Sequence, residues 1–196
     1  DGSIRANEAA ARCEDLDVLP FPDWRVFDLD RYRDVNQYVA FMGVETKRGC
    51  PNRCRYCLYP TLQGQCLRLR SPKRVVEELQ ILRERHGIKL VHFTDPVLNQ
   101  PAEHLRSICR EILDRRIEIG WTGFFREDML TREDIDLHRR SGLVTAYFSA
   151  DGASKHALKL LRKDLTPDQI LRAAQFMAES GTLAVYHFLV NLPGEN

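Results

Sequence analysis

Cys50-Pro51-Asn52-Arg53-Cys54-Arg55-Tyr56-Cys57 places three thiols within eight residues, directly after an apolar run that reads as a β-strand. Gaps of three and two residues let a short irregular loop turn each sulfur inward, so the trio can converge on one metal centre. A closed tetrahedral site needs four ligands, and a 4Fe-4S cluster is usually held by four cysteines. Three thiolates on such a cluster leave one iron open to another ligand. Two blander readings stand beside this one: a structural zinc site completed by Cys66 or His86, and a chance grouping of buried thiols.

Working outward, Tyr38-Val39-Ala40-Phe41-Met42 and Val44-Glu45-Thr46 suit a first strand, or a hairpin leading into one, that ends at the cysteine loop. Between Gly49 and Arg70 no periodicity is visible, and an irregular stretch of that size inside a compact domain is usually functional. Ser71 and Pro72 then cap and start a helix with Val75, Leu79 and Leu82 on one face, stopped by Gly87. A β-rich run, Ile88 to Thr94, follows.

The unit then repeats. Leu105, Ile108, Cys109, Ile112 and Leu113 fall at helical spacing after Pro101, which makes Cys109 a core residue, and 117–124 reads as the next strand. Thr131 and Asp134 stand at capping-box spacing and open a helix closed by Gly142; Leu143 to Ser149 is a fourth strand. Helices are expected over Lys155 to Leu161 and Pro167 to Ser180, the second with Ile170, Ala174 and Met177 inward. Leu183 to Val190 makes a fifth strand.

Strands alternating with helices predict a parallel α/β sheet, open or rolled into a barrel; we expect a partial TIM-like (β/α) barrel truncated after the fifth strand. Ligands lie at the carboxyl ends of such strands. Cys50 to Cys57, Thr94-Asp95, Phe125-Arg126, Ser149 to Asp151 and Asn191 to Glu195 should therefore face one another. Residues 1–37 read as a linker or N-terminal arm, with a possible short helix over Glu8 to Cys13 and apolar anchors Leu19, Phe21 and Trp24. Residues 38–196 read as an incomplete core. The chain opens Asp1-Gly2-Ser3 without Met and ends just after a strand-like run, so a piece of a longer protein is expected.

Bulk properties narrow the class. The 196 residues allow one domain, and a net charge of +1 gives no global footprint for nucleic acid. Six cysteines, scattered apart from the tight trio, favour a reducing cytosol with thiols used for metal or packing. No run approaches the roughly 18 apolar residues of a membrane helix, so a cytoplasmic, soluble protein is expected.

The cysteine spacing, with Tyr56 immediately before the last thiol, resembles the signature of the radical S-adenosylmethionine (radical SAM) enzymes. The resemblance covers about residues 41 to 196 and extends to Glu45-Thr46-Lys47-Arg48-Gly49, Leu58-Tyr59-Pro60 and the Arg70-Ser71-Pro72 helix start. Leu19-Pro20-Phe21-Pro22 resembles the segment that joins a cobalamin domain to the barrel in the B12-dependent branch, and that domain would lie upstream of Asp1. The resemblance implies that Cys50, Cys54 and Cys57 hold a 4Fe-4S cluster whose open iron chelates S-adenosylmethionine. It implies that Tyr56 touches the adenine through its backbone, that Thr94-Asp95-Pro96 receives the methionine amino group, and that Ser149 and Asp151 hold the ribose. Asn191, Pro193, Gly194 and Glu195 resemble the turn that lines the adenine site, and Arg126 is suited to the methionine carboxylate. The family's usual glycines after the second strand are absent, and Asn191 stands where glycine is commoner.

The reaction so implied is reductive cleavage of S-adenosylmethionine to a 5′-deoxyadenosyl radical, with methyl transfer from methylcobalamin in the B12-dependent branch. No side chain is identifiable as a substrate acid or base. Arg53, Arg55, Arg68, Arg70, Lys73 and Arg74 surround the loop; they read as a solvated face, or as a docking surface for an acidic electron donor such as flavodoxin or ferredoxin. The competing reading is a zinc-stabilised module with Cys66 as fourth ligand, binding nucleic acid or protein; an inactive truncated domain is a third. The zinc module does not explain the repeated βα units or the closing Pro-Gly-Glu turn.

Overall fold

The computed structural model describes residues 2–5, 7–8, 10–32, 40 and 42–194. Tyr38, Val39 and Phe41 of the expected first strand, the arm boundary at residue 37, and Glu195 lie outside the described residues. The chain runs β1 (Gly43–Val44), β2 (Lys47–Arg48), α1 (Tyr59–Gln63), β3 (Arg68–Leu69), α2 (Pro72–His86), β4 (Leu90–Phe93) and α3 (Ala102–Asp114). It continues β5 (Gly120–Phe125), α4 (Arg132–Arg140), β6 (Leu143–Asp151), α5 (Lys155–Leu161), α6 (Pro167–Ser180) and β7 (Leu183–Phe188). The order β1-β4-β5-β6-β7 forms one sheet, parallel at every pairing. This is the α/β arrangement of part of a (β/α) barrel.

Local chemistry sets the helix ends. Ser71 Oγ accepts from the Arg74 amide at 3.2 Å with Pro72 in the first turn, and Gly87 closes α2 in the left-handed region. Thr131 and Ser154 cap α4 and α5 in the same way. Thr166 and Gln169 complete a reciprocal capping box on α6, which Gly181 ends. Each such cap is worth about 1 kcal/mol.

Alternation along the strands splits the sheet into two faces. Val91 and Phe93 of β4, Trp121 and Phe125 of β5, and Phe148 of β6 enter a core shared with Val75, Leu79, Leu105 and Ile108 of α2 and α3. His92, Phe124, Tyr147 and His187, one ring from each of four adjacent strands, meet one another on the opposite face at centroid distances of 5.5–6.2 Å. His92 Nδ1 is 2.8 Å from Thr122 Oγ1, and burial lowers the pKa of His92.

Several expectations change. The irregular stretch after Gly49 contains the short helix α1 and an antiparallel β2–β3 pair, in register Lys47↔Leu69 and Arg48↔Arg68. Two-residue strands are too short to leave a periodic signal. Residues 7–8 and 10–13 are not helical; Arg12 instead lies against Gly64 and reaches the Thr61 carbonyl. On α6 the buried alanine is Ala173, one residue before the expected Ala174. The arm is pinned: Leu16 is buried, Asp17 accepts from the Ser71 amide at 2.9 Å, and Trp24 packs on the core.

The basic cluster is also corrected. Arg68 is buried, donating to the carbonyls of Cys13 and Gln63, both at 2.7 Å. Arg70 pairs with Glu78 and donates to the Glu45 carbonyl. Arg74 lies 3.6 Å over the Phe21 ring and reaches the Leu19 carbonyl. Half of the expected solvated face thus holds the arm and the β2–β3 region in place, leaving Arg53, Arg55 and Lys73 exposed.

Candidate metal and cofactor site

The cysteine loop leaves β2 through Gly49, whose φ of +96° lies in the left-handed region. A Cβ there would sit 2.1 Å from the Cys66 carbonyl oxygen, so only glycine fits this turn. The loop is then tied at both ends. The Cys50 amide donates to Gly64 O at 3.0 Å, Cys57 N to Cys54 O at 3.1 Å, and Arg55 N to Leu161 O at 2.9 Å. Asn52 also meets Gln100 at 3.1 Å.

Cys50, Cys54 and Cys57 line one cavity of about 220 Å³ at the carboxyl ends of the parallel strands. Its remaining wall comes from Pro96 and Val97 after β4, Phe124 to Glu127 at the end of β5, Ser149 of β6, and Lys163 and Leu165 after α5. Among the described residues no three Cys, His, Asp or Glu side chains close on a point that would hold a single metal ion. The thiols instead border a space larger than one ion. That donor set, all thiol and spread around a cavity, suits a polynuclear iron-sulfur group better than a tetrahedral zinc. Cys66 is exposed and, like His86, lies outside this wall, so neither completes the trio. Burial pushes the Cys54 thiol up, and the nearby Lys163 charge opposes that shift.

A polar knot braces the loop from the far side. The Tyr56 hydroxyl donates to Asp151 Oδ2, and Lys163 Nζ donates to the same oxygen at 2.8 Å. The Lys163 and Asp151 side chains are only 8% and 7% exposed. Burial and the Asp151 carboxylate together keep the Tyr56 phenol protonated, with its pKa well above the ordinary value. A one-residue register shift between Phe148 and Asp151 re-aims the end of β6. Asp151, Arg162 and Asp164 all take positive φ, a conformation that costs roughly 1 kcal/mol or more each for residues with a side chain. Backbone strain of this kind collects where a site dictates geometry.

The expected ligand contacts divide accordingly. Tyr56, Arg126 and Ser149 share the cavity with the thiols. Arg126 is held by a two-way bond with Asn99, whose Oδ1 accepts from its amide at 2.8 Å and whose Nδ2 donates to its carbonyl at 2.9 Å. Its guanidinium pairs with Asp128 and reaches the Asp164 carbonyl. Asp95 is not presented to a ligand. Its Oδ1 accepts from the Thr46 and Lys47 amides, and its Oδ2 takes the Thr46 hydroxyl and faces Lys47 Nζ at 3.7 Å. Lys47, 1% exposed, also donates to the Leu98 carbonyl at 2.6 Å. This buried knot ties the strand before the cysteine loop to the end of β4. Thr94 borders a separate cleft beneath the arm. Asn191, Pro193 and Gly194 are exposed and lie off the cavity; Gly194 O is 2.7 Å from His156 Nε2.

Two charged residues of the cavity wall went unread in the sequence. Lys163 lies in a connector between two helices instead of at a strand end, and Glu127 follows Arg126 inside an ordinary charged run. Glu127 is 2% exposed, its Oε1 has no hydrogen-bond partner, and burial pushes its pKa up to about 7.

Similarity to known proteins agrees with this geometry. A model of the Radical SAM superfamily matches residues 44–196. An uncharacterized methyltransferase of Pyrococcus horikoshii is 28% identical over 195 residues, 100% of this chain and 42% of the relative. An anaerobic magnesium-protoporphyrin IX monomethyl ester cyclase of Rubrivivax gelatinosus is also 28% identical, over 100% of this chain and 35% of its own length. Among solved structures, the radical S-adenosylmethionine methyltransferase TsrM of Kitasatospora setae, with cobalamin and a 4Fe-4S cluster bound, superposes with a TM-score of 0.76 at 25% identity. That match covers 86% of this chain and 33% of TsrM. The chain therefore spans less than half the length of these relatives. A match over most of its residues, on a parallel sheet whose strand ends carry the three-thiol loop, makes the chain a member of the radical SAM superfamily.

Proposed function

We propose that this chain is the S-adenosylmethionine-cleaving core of a radical enzyme. The observation that carries the reading is the single cavity shared by three thiols, an arginine and a serine at the strand ends. Cys50, Cys54 and Cys57 would hold a 4Fe-4S cluster, which when bound supplies the electron for reductive cleavage of the carbon-sulfur bond of S-adenosylmethionine. Arg126 fits the methionine carboxylate because Asn99 fixes its backbone, and Ser149 fits a ribose hydroxyl. Tyr56 fits beside the adenine, its hydroxyl already committed to Asp151. The knot of Tyr56, Asp151 and Lys163 orients the loop, and the aromatic and imidazole face beneath Phe124 limits water. Cobalamin-dependent methyl transfer is the outcome that the TsrM likeness supports, with cobalamin held by residues outside this chain. An acidic one-electron donor fits the exposed Arg53, Arg55 and Lys73. Among the described residues no helix is long and apolar enough to cross a membrane.

Anaerobic reconstitution with iron and sulfide, followed by reduction and electron paramagnetic resonance with and without S-adenosylmethionine, tests the reading. About four irons per chain and a spectrum that changes on adding S-adenosylmethionine are expected. The cluster should survive Cys66→Ala and be lost in Cys54→Ala. One tightly held zinc and no reducible centre would end it.

A further inference from the structure

We propose that Gln100 is a positioning residue that couples the thiol loop to the turn carrying Arg126, an assignment that rests on reading Cys50, Cys54 and Cys57 as metal ligands. Its basis is the segment after β4, Asp95 to Gln100. The segment has no helix or strand of its own, yet Asp95, Leu98 and Asn99 are at most 2% exposed. Connecting segments usually run over the surface. Burial of this one requires that its polar groups be met inside the protein.

They are met by three different elements. Asp95 takes Thr46 and Lys47, and Lys47 Nζ donates to the Leu98 carbonyl at 2.6 Å, which anchors the segment beside β2. The Leu98 amide donates to Phe124 O at 2.6 Å, and the Leu98 side chain rests on Gly123, where a Cβ would come within 2.5 Å of it. Asn99 holds both main-chain groups of Arg126, accepting from the amide at 2.8 Å and donating to the carbonyl at 2.9 Å. The next residue, Gln100, grips the other loop: its Oε1 accepts from Asn52 Nδ2 at 3.1 Å, and Asn52 stands between Cys50 and Cys54.

Two consecutive side chains therefore hold two walls of one cavity, since Asn52 and Arg126 both line it. Closing the thiol loop on a metal centre fixes Asn52 and, through it, the Gln100 side chain. Leu98 is tied by its amide on one side and its carbonyl on the other, so the turn has little room to absorb a change at Gln100 without passing it to Asn99. Ordering at one loop then lowers the cost of ordering the other, which is coupling without any large movement. Such coupling is reciprocal, and it is established only when each end is shown to bias the other.

Amide hydrogen exchange tests it, read by mass spectrometry before and after anaerobic reconstitution with iron and sulfide, without S-adenosylmethionine. In the native chain, filling the thiol site should slow exchange over 124–128, where Asn99 holds the Arg126 amide, by about five- to tenfold, while α6 exchanges equally in both states. Gln100→Leu keeps the bulk and removes the acceptor, so it should bind iron and lose that slowing. Gln100→Glu keeps an acceptor for Asn52 and should recover it. A merely structural bond would instead speed exchange in Gln100→Leu by the same factor with and without iron. That outcome, undiminished slowing in Gln100→Leu, no slowing in the native chain, or no recovery in Gln100→Glu would each overturn the coupling and leave the metal site intact. Should Gln100→Leu take up no iron, Asn99→Leu decides: by reciprocity, freeing the Arg126 turn must speed iron loss from the loaded protein to a chelator, and an unchanged rate overturns the proposal. A native chain that takes up no iron would overturn the site reading and the coupling together.

Discussion

Replacing Lys163 with Met should destabilise the chain by about 3 kcal/mol, although the lysine is neither a proposed metal ligand nor part of the main apolar core. The ion pair with Asp151 is 2.8 Å long and more than nine-tenths buried on both sides. At an effective dielectric of about 20, two charges at that separation attract by about 6 kcal/mol before desolvation is subtracted. The Met variant retains the volume but leaves the Asp151 carboxylate with the Tyr56 hydroxyl and no cation, and stranding one member of a buried pair costs about 3–5 kcal/mol. In a domain of this size that lowers the melting temperature by roughly 6–12 °C. The assay is urea unfolding of native protein, Lys163→Met, Asp151→Asn and the double variant. Removing both charges leaves no stranded ion, so the double variant should cost less than the sum of the singles, with a coupling of about 2 kcal/mol. Iron retained after reconstitution should fall in Lys163→Met and recover partly in the double variant. Unfolding of Lys163→Met within 0.5 kcal/mol of native, or strict additivity, would refute the idea that this pair braces the thiol loop.

Two further outcomes follow from other parts of the molecule. Gly49→Ala forces a Cβ to 2.1 Å from the Cys66 carbonyl at a φ of +96°, and should cost about 3 kcal/mol or more and lower iron retention; thermal unfolding indistinguishable from native would contradict that turn geometry. His138 is buried against Trp121 and Phe125, and burial lowers its pKa from 6.5 to about 4. Its neutral form is favoured in the folded state, so its contribution is complete above pH 6.5 and is lost as pH falls toward 4, by about 3 kcal/mol in all; urea titrations should show a shallower acid slope in His138→Leu, and parallel slopes would count against it.

The sheet was legible because its signals are local. Ser71-Pro72, Thr166-Pro167 with Gln169, and Gly87 and Gly181 mark helix ends through bonds within a few residues of themselves. The thiol trio was legible for the same reason. What escaped is long-range. Nothing near Asp95 shows that its carboxylate is spent on Thr46 and Lys47, forty-nine and forty-eight residues away. Lys163 reads as one more charge in Arg-Lys-Asp until α5 turns it against Asp151, and Glu127 carries no mark of burial in a run of charged residues. The basic cluster failed similarly: charge is visible in sequence, but Arg68, Arg70 and Arg74 find carbonyls and a ring that only the folded arm supplies.

The brace on the thiol loop has a kinetic side. Tyr56 meets Asp151 ninety-five residues later, and Arg55 is tied to Leu161 farther still along the chain. Closing contacts of that separation is entropically costly and is deferred until the intervening strands have paired. During synthesis the three cysteines therefore emerge long before the segment that fixes them. In that interval they are an open, adaptable chelate. Once β6 and α5 dock, the same bonds that shape the cavity also slow the escape of whatever the thiols have captured, so the order of events along the chain sets when the centre can be filled and how long it is kept.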